Sequence, residues 1–231
     1  YAGRGARIDN LTFNAASGSG GGIVLTNERT AKGQDVKLES NDAGAILRFL
    51  DIYARMSGGR ISANLKSTDS GALAGSVKAS DFVVVNEPRL ASLVSKPPQQ
   101  GGKSLASTLD KDIDTTRVNF DEGTFRIEKG DDHLAIDEGI LRGPLIGTTF
   151  SGMLYDKAGN MAINGTFMPA YGLNRLFGDI PLLGTILGNG SDKGLIGITY
   201  RLAGPAKNPT VSVNPVSVIA PGIFRKIFEY H

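Results

Sequence analysis

Alternation of apolar and polar side chains in short segments, separated by turn-forming residues, restricts this chain more than any other feature. Val118 with Phe120, Phe125 with Ile127, Leu134 with Ile136, and Ile163 with Phe167 keep an even spacing, with Asn119, Arg126, Glu128, Asn164 and Thr166 among them. A period of two belongs to a strand with one apolar face, whereas a helix would need a period of 3.6. The connections are short and rich in turn formers, as in Asp156-Lys157-Ala158-Gly159-Asn160. Successive strands should therefore pair as antiparallel neighbours, a meander. The 31 glycines and the absence of tryptophan suit a β-rich fold with many bends.

Strands are expected over residues 8–13, 22–26 and 35–40. A helix is expected over 43–56, capped by Asn41 or Asp42 and ended by the Gly58-Gly59 pair, because Ile46, Leu47, Leu50, Ile52, Tyr53 and Met56 recur near helical spacing. Residues 60–65, 72–79 and 82–85 read as further strands, and 89–94 as a short helix. The proline and glycine of residues 96–104 form a loop between two similar portions, 1–95 and 105–214. Strands in the second portion fall at 117–120, 124–128, 133–136, 147–155 and 161–167; residues 215–231 supply a C-terminal helix and tail.

The fold class is thus mainly β: a long, curled antiparallel meander with a few short helices. An apolar sheet face ordinarily packs on helices or a second sheet. Here one amphipathic helix must serve about a dozen strands, so either the sheet curls onto itself or part of its apolar face is left for a ligand.

Several chemistries are excluded. The net charge of +2 is spread over mixed signs and gives no basic stripe, so nucleic acid is not an expected partner. Without cysteine there is no disulfide, thiol catalysis or cysteine-ligated metal. Asp110, Asp112 and Asp114 open like a calcium loop, but Thr115 stands where glycine is needed and Asp121 where a bidentate glutamate belongs. His133, beside Asp131 and Asp132, reads as a surface residue rather than half of a catalytic dyad. The glycines around Gly20 match no phosphate-binding fingerprint, and no nucleophile elbow is present. No enzymatic activity, cofactor or metal is expected. No run reaches the roughly 20 apolar residues that span a bilayer. Tyr1 is expected to mark a cut in a longer protein, since neither an initiator methionine nor a signal-peptide pattern precedes it.

A resemblance enters at the C-terminal third. Met168-Pro169-Ala170-Tyr171-Gly172-Leu173-Asn174, then Ile180-Pro181-Leu182-Leu183-Gly184, then Gly194-Leu195-Ile196-Gly197-Ile198-Thr199-Tyr200-Arg201-Leu202-Ala203-Gly204-Pro205 resemble, in order and spacing, the C-terminal region of bacterial AsmA-like proteins of the YhdP type. Residues 50–60 and 81–88 add to the likeness, which covers most of 43–224. The resemblance implies a periplasmic piece of a protein anchored in the inner membrane, whose hydrophobic β-groove carries phospholipid toward the inner leaflet of the outer membrane. About a dozen strands at roughly 4.8 Å would give a groove of about 60 Å.

Candidate groove residues are Phe125, Ile127, Phe150, Ile163, Phe167, Ile198 and Tyr200. Leu182, Leu183, Ile186 and Leu187 form a second apolar element, either a lid over the sheet or a membrane contact. Phe224, Ile227 and Phe228 beside Arg225 and Lys226 suit a membrane interface or an envelope protein partner. The competing expectation is an assembly module for outer-membrane proteins with a closed apolar core.

Overall fold

A computed structural model describes residues 10–16, 21–31, 33–95, 114–144, 146–169, 196–213 and 217–218. Among them, strands β1 (Asn10–Ala16), β2 (Gly22–Thr30), β3 (Gly33–Ser40), β4 (Met56–Ser67), β5 (Leu73–Val85) and β6 (Arg117–Lys129) pair in chain order. They are followed by β7 (Leu134–Arg142), β8 (Ile146–Tyr155), β9 (Asn160–Pro169), β10 (Ile196–Pro205) and β11 (Thr210–Val213), while β12 (Ser217–Val218) pairs with the start of β10. Among the described residues every pairing is antiparallel and the sheet is not closed. The meander expected from short, turn-rich connections is therefore what forms. β5 and β6, which flank the proline-rich segment, pair from Leu73↔Lys129 to Val85↔Arg117, so the two strand groups share one sheet.

Among the described residues two helices accompany the sheet. α1 (Ala43–Phe49) is capped by Asp42, whose Oδ1 accepts from the Ala45 amide at 2.9 Å. It ends seven residues earlier than the apolar spacing suggests: Asp51 turns left-handed at φ 53°, and Met56 begins β4 instead of closing a helix. The Gly58-Gly59 pair lies inside that strand, at φ 65° and 83°, and terminates no helix. α2 (Pro88–Ser95) buries Leu90, Leu93 and Val94. It leaves β5 yet packs on β11, six places away in the sheet order, so the sheet must curl around it.

The register makes the two faces chemically distinct. One row across the sheet reads Leu25, Leu38, Ala63, Val77, Phe125, Gly139, Phe150, Gly165, Tyr200, Val213. The row beside it reads Asn27, Val36, Leu65, Gly75, Ile127, Ile136, Gly152, Ile163, Leu202, Val211. Asn27 alone interrupts them, and its Oδ1 is buried without a hydrogen-bond partner. On the opposite face Thr26, Lys37, Asn64, Ser76, Arg126 and Glu138 make a polar row, in which Arg126 pairs with Glu138 at 3.2 Å.

Alternation changes phase at the same level in three neighbouring strands, and again at a bulge in β7 between Ile136 and Gly139. Buried positions jump from Ala79 to Phe82 in β5, from Phe120 to Gly123 in β6, and from Met56 to Ile61 in β4. Left-handed Gly58, Gly59 and Asp81, the last at φ 56° and paired with Arg60, accommodate the odd step. Phe82, Val84, Val118 and Phe120 thereby join the same hydrophobic cluster as Ile61 and Ala79, with Phe82 and Phe120 stacked at 5.3 Å. The sequence shows a break at each of these places, and residues expected as separate strands are continuous β5 and β6.

Candidate functional site: a graded apolar face and a cationic corner

The apolar rows are not uniformly buried. Across β7 to β11 most are buried, namely Ile136, Ile163, Tyr200, Val211 and Val213 with Phe167 beside them, while Phe150 and Leu202 are partly buried. Across β2 to β5 Leu25, Val36, Leu38, Leu65 and Val77 are partly buried, with Leu38 and Val77 packed against the core, and Ile61 and Ala79 on the same face are buried. The border falls at Phe125 and Phe150, both half-buried, whose rings meet at 5.9 Å between centroids.

Glycine permits that border to be flat. A Cβ on Gly139 would stand 2.6 Å from the Phe150 ring, so the aromatic ring lies directly on the glycine backbone. One strand pair further on, Gly165 carries the Tyr200 ring in the same way. The Tyr200 hydroxyl and Thr148 Oγ1 are 3.0 Å apart. Burial pushes the phenol up to about 12 against the opposing hydrogen bond.

The seven groove candidates thus divide. Phe125, Ile127 and Phe150 lie half-open on the apolar face, while Ile163, Phe167 and Tyr200 are part of the closed core. Ile198 stands opposite Phe167 in the register, and its side chain lies outside the described set. Leu182, Leu183, Ile186, Leu187, Phe224, Arg225, Lys226, Ile227 and Phe228 fall outside the described residues. The half-open positions Leu25, Val36, Leu38, Leu65 and Val77 were not among the candidates. Their alternation is visible in Val36 and Leu38, but only the register aligns them with Phe125 and Ile127.

A polar corner sits where α2 meets the β10–β11 turn. Buried Glu87 accepts from Arg89 Nε at 2.5 Å, Arg89 Nη2 at 2.8 Å, the Arg89 amide at 3.1 Å and the Tyr53 hydroxyl at 2.7 Å. Burial alone would raise its carboxyl, but the bonds and charge of Arg89 outweigh this and hold it below its ordinary value. Tyr53 is pushed far up by burial, with Glu87 adding to the effect, and the Arg89 guanidinium lies 5.7 Å from its ring centroid. Beside this cluster opens a cavity of about 340 Å³, lined in part by Arg55, Arg89 and Lys207. A second hollow, of about 580 Å³, lies over Val24, Glu39, Ser62 and Lys78 on the polar face.

His133 closes the β6–β7 turn and meets Asp132 at 3.2 Å and Glu128 at 3.5 Å. The Asp132 hydrogen bond leads in raising its imidazole. Asp114 accepts from the Thr116 amide and hydroxyl, a local turn contact. Among the described residues no three His, Cys, Asp or Glu side chains gather as metal ligands, and no helix is long and apolar enough to cross a membrane. No family model, curated protein or solved structure matches this chain.

Proposed function

We propose that this chain binds phospholipid acyl chains along the half-open rows of β2 to β5, as the periplasmic, C-terminal part of an inner-membrane-anchored lipid carrier of the AsmA-like type. The observation that carries the reading is a difference in burial along two register rows: Ile136, Ile163, Tyr200, Val211 and Val213 at β7 to β11 are buried, whereas Leu25, Val36, Leu38, Leu65 and Val77 at β2 to β5 are only partly buried. Burying a methylene is worth about 0.8 kcal/mol, so a 16-carbon chain loses roughly 12 kcal/mol on entering water. A continuous apolar lining lets the chain move without crossing that barrier. Lipid passes toward the outer membrane, and no catalysis is involved.

The test is extraction and mass spectrometry of lipid from protein purified without detergent. Phospholipid near one equivalent is expected, and Val77→Asp combined with Leu38→Asp should remove it while the β-sheet circular dichroism is retained. Folded wild-type protein that carries no lipid would overturn the reading. The mostly buried β7 to β11 region favours a second reading, an envelope assembly module that uses its closed half as a scaffold. Under it, loss of residues 221–230 should weaken partner capture while the aspartate pair leaves capture intact.

A further inference from the structure

We infer that the cavity between α2 and the β10–β11 turn is a binding site for a phosphate group, separate from the apolar rows and independent of whether those rows hold acyl chains. Three cations from three distant stretches of chain line it: Arg55 ahead of β4, Arg89 in α2 and Lys207 in the turn. The curl of the sheet is what brings them together. Like charges gathered at one cavity repel, and an arrangement of this kind is relieved by an anion.

The single carboxylate lining the cavity, Glu87, neutralises Arg89 and leaves the charges of Arg55 and Lys207 without an acidic counterpart among the lining residues. Glu87 already takes three donors from Arg89 and one from Tyr53, with its oxygens turned to α2 and Tyr53. It also caps the α2 backbone through the Arg89 amide, so the net positive character of the cavity rests on side chains rather than on the helix end. The pairing does something further: with Nε and Nη2 fixed by Glu87 and the guanidinium held near the Tyr53 ring, Arg89 is a rigid donor whose Nη1 lies outside the pair. Arg55 donates to the Asn86 carbonyl, which ties it to the same corner. Ser92 and Thr210 add hydroxyls to the lining.

Cations from three stretches of chain together with two hydroxyls offer more donors than a planar carboxylate can accept and suit the oxygens of a phosphate. A volume of about 340 Å³ holds such a group with several waters, each of which occupies about 30 Å³ in the liquid. The phosphate can come from a lipid headgroup or from a soluble phosphate.

Delipidated full chain, titrated calorimetrically with inorganic phosphate and with glycerol 3-phosphate, tests this directly. Saturable binding of at least one is expected, weakened about tenfold or more by Lys207→Glu and by Arg55→Gln, the loss of one charge-assisted hydrogen bond. Both side chains are exposed, so these variants should retain the fold. Flotation with phosphatidylglycerol vesicles separates the sources: vesicle binding that glycerol 3-phosphate competes away marks a headgroup, and phosphate binding without vesicle binding marks a soluble ligand. Absence of saturation with both phosphates, or affinities that neither variant changes, overturns the site. Because the titrations use delipidated protein, their failure is distinct from a failure to copurify lipid.

Discussion

Gly165→Ala places one methyl group where the interlock between glycine and aromatic ring permits none. Its Cβ would stand 2.4 Å from Tyr200 Cζ, 2.5 Å from the Tyr200 hydroxyl oxygen and 2.6 Å from the Thr149 carbonyl oxygen. Comfortable separations begin near 3.5 Å. The ring cannot swing away freely, being 8% exposed and tied to Thr148 at 3.0 Å. Relief requires giving up that hydrogen bond, about 1 kcal/mol, and overpacking the core, about 1–3 kcal/mol. The stiffer unfolded chain returns about 0.5 kcal/mol. A net loss of about 2–3 kcal/mol follows, a fall of roughly 5–10 °C in Tm for a domain of this size. Urea denaturation of Gly165→Ala, Tyr200→Leu and the double variant measures it. With the ring shortened the clash with Tyr200 is relieved and the Thr149 carbonyl contact remains, so the double variant should be more stable than additivity allows by about 1 kcal/mol. A single variant within about 0.5 kcal/mol of wild type, or an additive cycle, would refute the interlock.

Asn27→Leu should raise stability by about 1 kcal/mol in the same assay, since it removes a buried acceptor without a partner from an apolar row. Asp42→Ala removes the α1 cap and should lower stability by about 1 kcal/mol. At Asp81, left-handed at φ 56°, substitution by valine should lose about 1–3 kcal/mol while glycine is nearly neutral. Stability should fall toward both pH extremes. Glu87 is held below its ordinary value of 4.5, so its contribution is complete above that pH and is lost as pH drops through the folded value. Tyr53 and Tyr200 are raised above 10.0, so theirs is complete below that pH and is lost as pH climbs beyond it. Urea midpoints against pH check both limbs, and Glu87→Gln should flatten the acid one.

Strand order was legible because the evidence for it is local. Residues 156–160 turn the chain in place, and Phe125 with Ile127 share a face whatever lies beyond. The length of α1 was not, since Leu50, Tyr53 and Met56 sit at helical spacing, yet Met56 gains more by pairing with Val84 in the sheet. Burial of the apolar face was equally hidden. Ile163 and Ile127 share a register row, yet Ile163 is buried and Ile127 only partly so, a difference that appears only once distant strands are assembled. The cationic corner escaped detection for the same reason, because Arg55, Arg89 and Lys207 lie far apart in the chain.

The phase change shared by β4, β5 and β6 has a consequence for how such a chain finds its alignment. In a sheet whose rows repeat every two residues, sliding one strand by two keeps inside and outside correct and so carries little penalty. At Gly59, Asp81 and Asp121 the repeat has a seam, and a strand displaced by two would bring its seam opposite unbroken neighbours. Phe82 would then lose Phe120, and a carboxylate would be forced toward the core. The seam therefore works as a notch in a key: it fixes three long strands in a single alignment, from which the shorter strands on either side can count.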